Sequence, residues 1–115
     1  DIETAMVMLE SGRYIYCVFM CHLAIEKALK AIYVKKLNKH SPKIHSLVYL
    51  AKNVEVELSE AIKEFIESLD EISIPTRYPE DLEKSLKEYT KESTAVIYNK
   101  SKEVLLCLKT ELEKL

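Results

Sequence analysis

Arg77 and Tyr78 are the neighbours in this chain best suited to chemistry. Only two arginines stand among fifteen lysines, so the guanidinium at 77 marks a place where a planar, bidentate fork is used rather than a point charge. Pro75 and Pro79 restrain the backbone on either side, and the Tyr78 ring can stack on a base or bury one edge. Two roles suit Arg77: contact with an anion or nucleotide, or a clamp onto a carboxylate such as Glu26 that pins the segment to the fold. Glu26 and Lys30 stand four residues apart, in the order that favours a helical ion pair. With Lys27 they make either a polar groove shared with Arg77 or a solvated helix edge. His22 interrupts an apolar run, as a groove residue or as a hydrogen-bonded core or interface histidine. His45 suits capping or packing at the start of a helix.

Cys17 and Cys21, four apart and next to His22, share a helical face and invite a metal. Zinc needs two further ligands, however, and no second Cys/His pair has suitable spacing. Buried free thiols are the expectation, with no metal and no cofactor. A single glycine rules out a glycine-rich phosphate loop, and three scattered histidines support no Ser–His–Asp order.

The elements that must carry these residues are helical. Ile2, Ala5, Met6 and Leu9 have helical spacing and stop near Gly12. A long segment from Tyr14 to Leu37 places Tyr14, Val18, Cys21, Ile25, Leu29 and Ile32 on one face. Its first half is apolar nearly all round, which predicts a central, buried helix closed by Asn38 in a left-handed cap. Ile44, Leu47, Val48, Leu50 and Ala51 make a short third helix ending near Asn53. A fourth begins at Ser59 and buries Ile62, Phe65, Ile66, Leu69 and Ile72. The proline-bracketed segment 74–79 is expected to be non-helical, and 80–89 is either loop or short helix. Thr90 caps a last helix with Ile97, Ser101, Val104, Leu108, Leu112 and Leu115 in one stripe. Val54–Leu58 alternates, but a lone strand has nothing to pair with. The expected fold is an all-α, up-and-down bundle of four to five helices, a single domain over 1–115.

With 115 residues, 48% of them hydrophobic and 31% charged, the chain can bury one core without staples. No apolar run approaches a membrane span. An odd number of cysteines inside helical pattern argues against a secreted disulfide framework and for the cytoplasm. The first helical pattern is already under way at Asp1, so further residues are expected before it. Abundant Lys and Glu without any Gln suggest a heat-adapted source. The net charge of −2 conceals segregation: residues 27–54 hold seven lysines and no acid, while residues 55–83 hold ten acids against Lys63 and Arg77. The basic stretch is a phosphate or nucleic-acid surface, a complement to helix C-termini, or a face turned towards the acidic fourth helix. Without interleaved aromatics, nucleic acid is the less favoured partner.

Gly12–Arg13–Tyr14, followed by His22–Leu23–Ala24–Ile25–Glu26–Lys27–Ala28–Leu29–Lys30–Ala31, resembles the signature of the HEPN family. Pro42–Lys43–Ile44–His45–Ser46–Leu47, with Leu50, is similar to that family's His-x-Leu-x-x-Leu helix start, and Thr76–Arg77–Tyr78–Pro79 to the Arg-Tyr-Pro loop of one branch. The resemblance implies a small prokaryotic helical bundle, usually a homodimer and often paired with a minimal nucleotidyltransferase. Some members are ribonucleases of toxin–antitoxin or defence systems, with an Arg followed after four to six residues by a His near the start of the last long helix. Here Arg13 is followed at that distance by Val18, Phe19 and Met20, and Arg77 by Leu82, Glu83 and Lys84. That motif is absent. The resemblance then implies a non-ribonucleolytic partner of a nucleotidyltransferase, with Arg77, Tyr78, Glu26, Lys27, Lys30 and His22 as nucleotide- or anion-binding candidates. A divergent ribonuclease using Arg77 with His22 or His45, and a purely structural interaction module, are the alternatives.

Overall fold

The structure, a computed structural model, describes residues 2–73 and 88–115. Among them the chain is an all-α bundle: α1 (Ile2–Glu10), α2 (Tyr14–Leu37), α3 (Leu47–Val54), α4 (Glu60–Ser73) and α5 (Lys91–Glu113). No described residue is in a strand, and Val56–Ser59 is an irregular link, as a segment without a pairing partner must be.

The caps explain the boundaries. α1 ends in a Schellman arrangement: Arg13 N donates to Met8 O and Gly12 N to Leu9 O, with Gly12 at φ +77°. A Cβ at Gly12 would meet nothing within 4 Å, so the backbone angle and not crowding calls for glycine. α2 closes on Asn38 at φ 51°. Ser59 Oγ accepts from Ile62 N at 3.2 Å to open α4. Thr90 and Ser93 form a reciprocal capping box at the start of α5.

α2 is the axis, packed against all four other helices. Val18, Ile25, Leu29 and Ile32 meet Leu47 and Leu50 of α3, Ile66 and Leu69 of α4, and Val104 and Leu108 of α5 in the main core. Ala5, Cys17, Cys21 and Tyr98 form a second cluster where α1 closes over α2 and α5. The expected α5 stripe is buried at Ser101, Val104 and Leu108, but Leu115, two residues past the end of α5 at Glu113, is 49% exposed. Ile44, read as part of the third helix, precedes it. The apolar start of α2 leaves Tyr16 and Phe19 exposed. No described helix is long and apolar enough to cross a membrane.

Candidate functional site

The polar residues singled out from the sequence do not share one environment. Arg77 and Tyr78 lie outside the described residues. Lys27 is exposed on α2, whereas His22 and Glu26 are each 5% exposed. The reading of Glu26 and Lys30 as a solvated helix edge is corrected at Glu26. The segment leading into α3 folds over that carboxylate and takes it out of water.

Burying a carboxylate is costly unless its oxygens are occupied, and those of Glu26 are. His45 Nδ1, from the lead-in to α3, donates within 3.1 Å of both oxygens. Lys30 Nζ, one turn further along α2, donates to Oε2 at 3.2 Å. His22 Nδ1 stands 3.9 Å from Oε1 on the opposite side. The i, i+4 pair expected between Glu26 and Lys30 is therefore present, with a buried acid and a Lys30 side chain that is 21% exposed.

His22 continues the network into α4, where its Nε2 donates to Asp70 Oδ1 at 2.9 Å. Asp70 also accepts Leu47 N at Oδ1, and Val48 N and Ser46 Oγ at Oδ2. Burial pushes the Asp70 carboxyl up, but the hydrogen bonds from His22 and from the Val48 and Leu47 amides outweigh it. The group titrates below its ordinary range. An ionised Asp70 can only accept, which places the His22 ring proton on Nε2. His22 is thus a hydrogen-bonded interior histidine, the less eventful of its two expected roles.

The same contacts close the N-terminus of α3. Ser46 Oγ accepts Tyr49 N at 3.2 Å, and Asp70 takes the two preceding amides. The helix-terminal amides that commonly bind phosphate are occupied from within. At the other end of α3, Lys36 Nζ donates to Val54 O at 2.7 Å and to Glu55 O at 3.3 Å. Lysines near the end of α2 were expected to complement their own helix; Lys36 serves the C-terminus of its neighbour instead.

Sequence reasoning did not single out Asp70; it took Lys36 only as one of the lysines of the basic stretch, and gave His45 a capping or packing role or a place in the divergent ribonuclease. One signal was available for Asp70: α3 carries no acid in its own first turn, so its orphan amides needed an acceptor from elsewhere.

Among the described residues no group of three or more His, Cys, Asp or Glu side chains could hold a metal. Cys17 and Cys21 are free and buried. The hydrogen bond with Cys21, together with burial, pushes the Cys17 thiol far up, so it stays protonated and inert.

Comparison with known proteins adds an independent line. A family model described as the HEPN domain matches residues 1–111. The protein of Methanocaldococcus jannaschii named "Putative toxin MJ1304" is 32% identical over 127 aligned residues, covering 99% of this chain and 82% of that protein. No solved structure matches.

Proposed function

The chain belongs to the HEPN family, and on that premise we propose that it acts by binding: a homodimeric, nucleotide-binding partner of a minimal nucleotidyltransferase, without the Arg…His ribonuclease chemistry. One observation carries the reading. The interior His22 gives its Nε2 to the Asp70 carboxylate, and neither arginine has a histidine at the spacing that chemistry uses. The α2–α3 edge presents Lys27, Lys30 and the exposed part of His45 outward. Arg77 and Tyr78 complete the proposed nucleotide contact. Tyr16 and Phe19, exposed on α2, are the proposed apolar contribution to the dimer.

Co-expression and pull-down with a nucleotidyltransferase encoded beside the chain tests the partnership. Failure to associate at micromolar concentration removes it. Calorimetry with ATP, GTP and short RNA separates this reading from a purely structural module, which binds none of them.

A second reading has one observation in its favour. His45 is an exposed imidazole held from behind by a buried carboxylate, the arrangement that orients a general base. It would serve a divergent ribonuclease with Arg77, in keeping with the name of the archaeal relative. That reading requires RNA cleavage that disappears in Arg77→Ala; a wild-type chain that leaves RNA intact disposes of it.

A further inference from the structure

Glu26 holds His45 in a way that leaves the ring half-committed. Its Nδ1 faces a carboxylate that is 7% exposed, while the His45 side chain itself is 61% exposed. Nε2 has no partner among the described residues. A carboxylate on one ring nitrogen fixes the tautomer and the plane of the ring, and leaves the other nitrogen as the group offered outward. Lys30 contacts the same oxygen, Glu26 Oε2, at 3.2 Å against 3.1 Å for His45. The ammonium and the imidazole therefore converge on one carboxylate oxygen.

We infer that His45, through Nε2, and Lys30 form a phosphoryl-binding site whose affinity is coupled to proton uptake by His45. The inference rests on the nucleotide-binding reading above and gives it a contact residue that the sequence did not single out for that role. The charges that face the ring set the coupling. Glu26, Lys30 and His22 come from α2, and Asp70 comes from α4 through the adjoining Ser46. With His45 neutral, the Glu26 carboxylate offsets the charge of Lys30 and Nε2 has no proton to give an incoming phosphate. When His45 takes a proton, Nε2 becomes a donor and the site gains one positive charge. Histidine is the side chain that ordinarily makes this change between about pH 5 and 8. The amides of α3 are already held by Asp70 and Ser46, so the phosphate depends on these side chains and on their acid-free surroundings in residues 27–54.

The test is calorimetry of the full chain with ATP and with inorganic tripolyphosphate, alongside nitrogen NMR of the His45 ring. Wild type should bind ATP about tenfold more tightly near pH 6 than near pH 8, and the ligand should shift the Nε2 resonance. His45→Gln should remove the pH dependence while circular dichroism shows the helices intact. Glu26→Gln should keep the fold yet release the fixed tautomer, seen as averaging of the two ring nitrogens. Equal ATP affinity at the two pH values, or a pH dependence retained in His45→Gln, overturns the inference. Tripolyphosphate that shifts Nε2 when ATP does not bind keeps the site and removes the nucleotide reading. ATP that binds without shifting Nε2 removes this site and keeps the nucleotide reading; if neither ligand binds, both fall.

Discussion

Asp70 on α4 accepts the backbone amide of Leu47 at 2.9 Å, across 23 residues of sequence, and so supplies α3 with the first-turn acid that its own sequence lacks. A helix of eight residues is too short to persist alone. α3 is held at its start by Asp70 and Ser46 and at its end by Lys36, while Leu47, Leu50 and Val54 sink into the core.

Asp70→Ala should therefore destabilise the chain by about 2 kcal/mol or more. It strips acceptors from two helix-terminal amides and leaves His22 unpaired in the interior. Asp70→Asn, which keeps one acceptor oxygen, should lose less. Urea denaturation followed at a helical wavelength measures both.

The same carboxylate predicts an acid limb of stability. Its folded pKa lies below the unfolded value of about 3.9. The stabilisation is complete above that value and is lost as pH falls through the lower, folded one. The stability gap between wild type and Asp70→Asn should be widest near neutrality and should shrink as pH falls below about 4. A gap that stays constant down to the acid end would contradict the assignment.

Glu55 closes α3 in the left-handed region at φ 52°, where a side chain other than glycine is strained. Glu55→Gly should raise stability by about 0.5–1 kcal/mol. Lys36→Met, which keeps the apolar stem but leaves the carbonyls of Val54 and Glu55 without their donor, should lower it by about 1 kcal/mol. Thermal melts of the two variants should move in opposite directions.

Thiol labelling should be ordered by burial. Cys107 is only partly covered, whereas Cys17 and Cys21 are sealed under α1. A disulfide reagent should titrate one thiol in the native chain and three after unfolding. Rapid native labelling of all three would show that α1 does not close over α2.

Leu50 of α3 is fully buried in the main core, and Leu50→Ala should cost about 3 kcal/mol. Exposed Val96→Ala on α5 should change stability by less than about 0.5 kcal/mol. Paired denaturation curves compare them directly.

The sequence by itself determined the helices, because apolar spacing and cap chemistry are local. The 3.6-residue rhythm bounded α2 at Tyr14 and Leu37; Gly12 and Asn38 announced the ends of α1 and α2, and Ser59 and Thr90 the starts of α4 and α5. The Arg…His test is equally local and needs no fold. The polar network was decided only by the tertiary structure. Glu26 and Lys30 look alike on a surface helix and inside a cluster, and only the arrival of His45 over Glu26 separates the two. Asp70 stands among Glu64, Glu67 and Glu71 with nothing in its own neighbourhood to mark it. It becomes distinct because packing α4 against α2 and α3 brings it to His22 and to the amides of Leu47 and Val48. Those pairings span 22 to 48 residues of chain, a separation at which periodicity carries no information and hydrogen-bond geometry does.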